Sequence, residues 1–342
     1  MTRYGAPREA HVPVFRDRII ELLAPALRHN GAVAVDATLG AGGHTEALLN
    51  AHPRLTVVGV DRDRDALALA GERLRQFKDR FVPVHAVYDR ITEVLADLDI
   101  PAVDAILFDL GVSSMQLDVA DRGFAYAQDA PLDMRMDQST GETAADVVNG
   151  YDQTQLTRIL KVYGEERFAS RIARAVITAR KKAPITSSRE LVDLVRDAIP
   201  AAARRRGGNP AKRTFQALRI EVNGELDVLR RALPSALDAL APGGRIAVLS
   251  YHSLEDRIVK RELVARTTSS APPGLPIDVP GTEPTMRLIS KGGQPPGDEE
   301  IAANPRAASA KLRAAEALPT DTEKSEVSRI EHTRRSHGED AK

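Results

Sequence analysis

The apolar positions change their spacing twice along the chain. Residues 14–28 carry apolar side chains at helical spacing, interrupted near Pro25. Four short apolar runs follow, at 32–35, 56–60, 81–87 and 103–108. Each is short and apolar, as is typical of a buried parallel strand. Segments of helical period separate them, at 45–51, 64–78 and 91–98. This alternation predicts right-handed βαβ units and an open, mostly parallel sheet.

After Gly111 the pattern changes. Residues 115–136 are rich in Asp, Met and Gly and read as loop. From 153 to about 199 the period is helical, with Leu156, Ile159 and Leu160, then Ile172, Ala175 and Val176, then Leu191, Leu194 and Val195. Pro184 and the run from Thr186 to Glu190 divide two helices and offer caps. Residues 115–219 are therefore expected to form an all-helical insertion. The α/β pattern then resumes. A long amphipathic helix is expected over 221–240 despite Pro234, then a turn at Pro242-Gly243-Gly244, a fifth strand at 245–250 and a helix at 254–265. The Ser- and Pro-rich stretch 267–281 reads as a mobile loop. Two last strands, 286–290 and 310–315, are expected to close a hairpin across the Pro- and Gly-rich 292–297. The division expected is an α/β domain built from 1–114 and 220–318, a helical substrate-binding domain at 115–219, and a polar, disordered tail at 319–342.

The 48 basic and 48 acidic residues cancel, so the total charge names no partner. Their distribution does. Residues 158–219 hold sixteen Lys or Arg against five Asp or Glu, whereas 89–137 hold eleven acids against three bases. One basic segment in a neutral chain predicts a localised face for a polyanion. The absence of Cys excludes disulfides and thiolate metal sites. It also removes the nucleophile needed to methylate C5 of a pyrimidine, which leaves nitrogen or oxygen for any base methylation. No apolar run approaches the ~20 residues of a membrane span, and the first residues carry no apolar signal region. A soluble, cytoplasmic protein is expected. The eight His residues are scattered without metal-ligand spacing, and no metal is expected.

The first strand leads into Asp36-Ala37-Thr38-Leu39-Gly40-Ala41-Gly42-Gly43-His44-Thr45. Glycines after a first parallel strand let the backbone pass close to a ligand at a helix N-terminus. Asp61 ends the second strand, where a carboxylate can accept both hydroxyls of an adenosine ribose. Asp36 ends the first strand, ahead of the glycines. It would repel a pyrophosphate but attract the ammonium group of a methionine moiety. Thr45 stands where Gly-x-Gly-x-x-Gly would place its last glycine. These residues favour S-adenosylmethionine over a dinucleotide. Asp109 ends the fourth strand, so Asp36, Asp61 and Asp109 are expected to converge on one crevice, or else to act as helix caps.

Several segments resemble the ribosomal RNA small subunit methyltransferase H family. They are Val35 through Thr45, Gly59-Val60-Asp61-Arg62-Asp63, Asp109 through Asp118, Arg122-Gly123-Phe124, Asp129 through Asp137, Arg213 through Ile220, Leu249 through Arg257, and Asn304-Pro305-Arg306. The resemblance runs from about His11 to Glu316. It implies a class I S-adenosylmethionine-dependent methyltransferase fold, Rossmann-like, carrying an inserted helical domain. It implies N4-methylation of a cytidine at the decoding centre of 16S rRNA, with the small ribosomal subunit as partner. By the same resemblance Gly42, Gly43, His44, Asp61, Asp109 and Gln116 line the cofactor, and Tyr88 lies near its adenine. Asn209 stands where a His commonly precedes Pro210, and Ala308 where an Arg commonly precedes Ser309.

An exocyclic amine is a poor nucleophile, and acceptors on its N–H bonds would localise the lone pair and take a proton. The Asp/Asn/Ser-Pro-Pro-aromatic loop that often does this is absent. In its place stand Asp109-Leu110-Gly111-Val112-Ser113-Ser114, so Ser113, Ser114 and nearby carbonyls are candidates. Ser250-Tyr251-His252-Ser253 forms a second candidate patch. There Tyr251 would stack the base, and His252 would relay the proton or cap the next helix. Asp133 and Asp137 are candidates to hold the amine. The basic set in the helical region includes Arg171, Arg174, Lys181 and Lys182, and Arg204-Arg205-Arg206. Phosphate contacts from such residues fix position, and the low aromatic content argues against a broad stacking platform. A nicotinamide oxidoreductase, a non-catalytic RNA-binding protein, and an N4 or N6 amino-methyltransferase acting on another RNA or on DNA are the competing readings.

Overall fold

A computed structural model describes residues 12–204, 209–271 and 281–319. Seven strands form one sheet: β1 (Val33–Asp36), β2 (Thr56–Asp61), β3 (Phe81–His85), β4 (Val103–Asp109), β5 (Leu240–Ser250), β6 (Met286–Leu288) and β7 (Lys311–Ala317). Their order is β3-β2-β1-β4-β5-β7-β6. The first five strands are parallel, and β7 runs antiparallel between β5 and β6. The sequence order reverses between β1 and β4, so their carboxyl ends face the crevice where open α/β sheets hold ligands.

The helices around the first half of the sheet are α1 (Arg16–Leu23), α2 (Gly43–Ala51), α3 (Arg64–Arg73) and α4 (Ile91–Asp97). Side chains alternate across each strand and build two cores. On β4, Ala105 and Leu107 join the core under α1 and α2, while Ile106 and Phe108 join the one on the opposite face. The chain expected to turn at Pro242-Gly243-Gly244 instead stays within β5 as a bulge. Val103 pairs with Leu240 and Ala105 with Arg245, with Gly243 at φ +79° absorbing the extra residues.

Between β4 and β5 the chain is helical: α5 (Ser114–Asp118), α6 (Ala144–Gly150), α7 (Gln153–Val162), α8 (Ala169–Arg180), α9 (Ser188–Ala198), α10 (Ala201–Arg204), α11 (Lys212–Asn223) and α12 (Glu225–Asp238). Reciprocal caps start four of them, at Ser113/Gln116, Thr143/Asp146, Asp152/Gln155 and Ser187/Glu190. This region has its own apolar core, with Leu156, Ile159, Ile172 and Leu191 at its centre. The single helix expected over 221–240 is two helices. Gly224, at φ +60°, ends α11 and begins α12. Helices α13 (Ser253–Thr267) and α14 (Asp298–Ala303) complete the set, α14 lying between the paired β6 and β7. Arg205, Arg206, most of the predicted loop at 267–281 and nearly all of the predicted tail lie outside the described residues. Among the described residues no helix is long and apolar enough to cross a membrane.

Candidate functional site

The carboxyl ends of β1, β2 and β4 open onto a cleft of about 790 Å³. Its floor is the glycine loop, its far wall is α11, and residues 304–309 close one side. Of the residues singled out from the sequence, Gly40, Gly43, His44, Asp61, Tyr88, Asp109, Ser113, Gln116, Tyr251 and His252 all line it. Positions separated by more than two hundred residues in the chain thus meet in one space.

Asp61 receives the Gly40 amide on one oxygen and the Asp63 amide on the other, both at 2.8 Å. Burial outweighs these bonds and pushes its pKa up to about 6. Asp36 lies beneath the loop rather than on the cleft surface. Its oxygens accept Thr45 Oγ1 at 2.7 Å and the Thr38 amide at 3.3 Å. Burial still raises its pKa, against Thr45 and His44. Thr45, which breaks the dinucleotide pattern, is therefore the hydroxyl that holds this buried carboxylate. Gly42 also stands back from the cleft. It caps α2 at φ +76°, and a Cβ there would fall 3.0 Å from Leu74 Cδ1 on the side of α3.

Asp109 is the hub of the opposite wall. Its amide donates to Thr38 Oγ1, and Tyr251 Oη donates to its Oδ1 at 2.7 Å. Its Oδ2 stands 3.5 Å from His44 Nε2, a buried nitrogen that completes no hydrogen bond of its own. Burial and the neighbouring Asp109 carboxylate raise the Tyr251 pKa well above its ordinary value, so the phenol remains a donor. Tyr88 packs edge-on to Phe108 at 5.4 Å, and burial raises its pKa as well.

Gln116 serves the wall from behind. Its Oε1 accepts the Ser113 amide and its Nε2 donates to buried Asp63 at 2.9 Å. Arg122 donates to the same Asp63 oxygen at 2.7 Å and to the carbonyls of Arg135 and Met136. Asp63 also caps α3 through the Asp65 amide, but the sequence gives no sign of its links to Gln116 and Arg122, which lie more than fifty residues away.

The structure corrects several expectations about the acceptor side. Asp133 is not brought to the cleft. Arg135 binds both its oxygens at 2.9 Å, which overcomes burial and lowers its pKa. Asp137 is engaged by Ser139. Ser250 is buried at the end of β5 and does not line the cleft. Ser113 Oγ accepts the Gln116 amide as a helix cap, at 3.3 Å. Ser114 begins the same helix. His252 is the N-cap of α13. Its Nδ1 accepts the Glu255 amide at 3.4 Å, and its Nε2 lies 3.2 Å from Glu255 Oε1. The capping role therefore prevails over a free base. Burial favours a neutral Glu255, yet His252 and Arg219 outweigh it and keep its pKa below the ordinary value.

Arg219 of α11 crosses to this wall. It donates to buried Glu225 at 2.9 Å, while its Nη2 is buried and has no partner among the described residues. Arg219 and His44 offer nitrogens, and Asp61 and Asp109 offer carboxylates, to one cleft, which fits a polar ligand carrying both acceptors and hydroxyl or cationic groups. Among the described residues no group of His, Asp or Glu is arranged to hold a metal.

The sequence matches the MraW methylase family over residues 8–318. It is 62% identical to the Ribosomal RNA small subunit methyltransferase H of Saccharopolyspora erythraea, covering 92% of this chain and 95% of that protein. The protein of the same name from Thermobifida fusca is 62% identical, with 91% and 94% covered. That from Frankia alni is 64% identical, with 90% and 94% covered.

Proposed function

The chain belongs to the MraW methylase family and is a methyltransferase; on that premise we propose that it uses S-adenosylmethionine to methylate N4 of a cytidine at the decoding centre of 16S rRNA, within the small ribosomal subunit. The names of the relatives supply the substrate class. The observation that carries the cofactor assignment is the convergence of Asp36, Asp61 and Asp109 about one glycine loop. Negative charge under and beside the loop opposes a pyrophosphate and favours a ligand carrying a sulfonium and an ammonium group. Asp61 would take the ribose hydroxyls, Tyr88 the adenine face, and Gly43, His44 and the Asp109 wall the methionine end. Asp36 backs the loop with its charge, and Gln116 holds the wall in place through Asp63.

When bound, S-adenosylmethionine supplies an electrophilic methyl group on its sulfonium sulfur. The protein must bring the amine into line with that methyl and remove one proton from it. The N4 lone pair is delocalised into the pyrimidine ring. A carboxylate accepting an N–H bond of the amine localises that pair and then takes the proton. Asp109 is one of the carboxylates lining the cleft, and its other contacts suit the task. The Tyr251 hydroxyl fixes Oδ1, which leaves Oδ2 towards His44 and the cleft. His252 and Glu255 act on Tyr251 rather than on the base, since Glu255 receives the amides of both Tyr251 and His252. The helical region 115–219 serves as the substrate-binding domain. Its exposed cations, including Arg171 and Arg174 of α8, would meet RNA phosphates. The target base must leave its stack to reach the floor of the cleft.

The test is transfer from radiolabelled S-adenosylmethionine to small subunits that lack base modifications, followed by nucleoside analysis. Label in N4-methylated cytidine is expected. Label in another nucleoside, or in a different RNA or DNA only, overturns the base or substrate assignment.

A further inference from the structure

Aromatic residues are scarce in this chain, with six Tyr, seven Phe and no Trp. Five of them nevertheless line the cleft: Tyr88, Phe124, Tyr126, Phe215 and Tyr251. Tyr88 and Tyr251 belong to the α/β part. The other three come from the helical region and form a separate wall. Phe124 and Phe215 are buried in the helical core, whereas Tyr126 is half-buried at its edge. Tyr126 meets Phe215 edge to face, with ring centroids 5.9 Å apart and planes at 79°. Its hydroxyl forms no hydrogen bond among the described residues, so no polar partner explains where the ring stands.

The backbone that carries Tyr126 is fixed although it is not helical. Gly123, at φ +73°, lies so close to the opposite strand of the loop that a Cβ would fall 2.3 Å from the Pro131 carbonyl oxygen. The Met134 amide donates to the Arg122 carbonyl, and the Arg122 side chain ties the same loop to Asp63. Tyr126 therefore presents a preset ring, and a ligand need not order it on binding.

We propose that Tyr126 is a base-stacking residue that receives an unstacked nucleobase of the RNA entering the cleft, with Phe215 as its backing. This rests on the reading of the substrate as RNA. A flat, sequence-tolerant π face is the chemistry that a splayed nucleotide requires, and stacking of this kind is independent of the methyl donor.

The experiment compares Tyr126→Phe, Tyr126→Leu and wild type by the KM for unmodified small subunits, the kcat, and the affinity for S-adenosylmethionine by calorimetry. Tyr126→Phe is expected to behave as wild type. Tyr126→Leu keeps an apolar contact on Phe215 but loses the flat face, and its KM is expected to rise about tenfold or more at unchanged cofactor affinity. Equal KM values for the Leu variant and wild type overturn the proposal. So does a parallel loss of cofactor affinity, which marks a packing role. Binding of a small-subunit rRNA fragment is measured on the same three proteins. Should wild type bind RNA without methylating cytidine N4, the reaction assigned above fails, and a drop in RNA affinity confined to Tyr126→Leu still supports the stacking role. Should wild type bind no RNA, both fall.

Discussion

The Tyr251 hydroxyl donates to Asp109 Oδ1 at 2.7 Å, joining the end of β5 to the end of the neighbouring β4 on one wall of the cleft. Tyr251 was expected to stack a base, and the bond gives it a different task. It holds the carboxylate proposed to face the acceptor amine. Tyr251→Phe keeps the ring and removes that bond. Its kcat should fall by about tenfold or more, with cofactor affinity within about threefold of wild type. Equal kcat values would show that Asp109 needs no orienting partner. Single-turnover transfer on small subunits separates the two.

The buried Asp61 carboxyl makes stability depend on pH. Burial raises its pKa from 3.8 to about 6, so the folded protein holds this proton more tightly than the unfolded chain. The stabilisation is full below about pH 4 and is lost as pH rises through 6, by about 3 kcal/mol for the ligand-free protein. Urea unfolding of wild type and Asp61→Ala across pH 4 to 7 should show this component in wild type alone. Cofactor affinity should move the opposite way, strengthening as the carboxylate ionises and accepts the ribose hydroxyls. Asp61→Ala should weaken cofactor binding at pH 7, and unchanged affinity by calorimetry would remove Asp61 from the site.

Among the described residues, Thr45 supplies the only side-chain hydroxyl on Asp36. Thr45→Val is nearly isosteric and leaves a buried carboxylate one donor short, at a cost of about 1–3 kcal/mol. Thr45→Ser should restore most of that loss. Thermal unfolding of the three proteins tests the ranking, and cofactor affinity should follow the same order.

Arg171 and Arg174 are exposed on α8, one helical turn apart. Replacing both with Gln should weaken RNA binding and reduce the slope of log affinity against log salt by about one to two. An unchanged slope would move the RNA to another face.

Much of this arrangement can be read from single positions in the chain. Asp36, Asp61 and Asp109 declare themselves because strand ends are visible as the ends of apolar runs, and open α/β sheets bind ligands there. The Ser187 cap is visible because its partner Glu190 lies three residues on. The division at Gly224 is harder, because the apolar spacing of α11 runs in phase into α12 and only the left-handed glycine separates them. Asp133 was misplaced, although Arg135 stood two residues away as an ion-pair partner. The links from Gln116 and Arg122 to Asp63, and the Tyr126–Phe215 contact, have no local signature. They arise from packing between segments fifty to ninety residues apart.

The antiparallel β7 lies inside the sheet, hydrogen-bonded to β5 on one side and to β6 on the other. Synthesis runs from the N-terminus, so β5 and then β6 are made before the strand that joins them. Until Ala317 has been made, β5 keeps an open edge and β6 has no partner in the sheet. A nascent or truncated chain can pair its first five strands yet cannot finish the cleft. Completion of the cleft is thereby tied to the synthesis of residues 304–317, because one side of the site and the strand beside β5 arrive together.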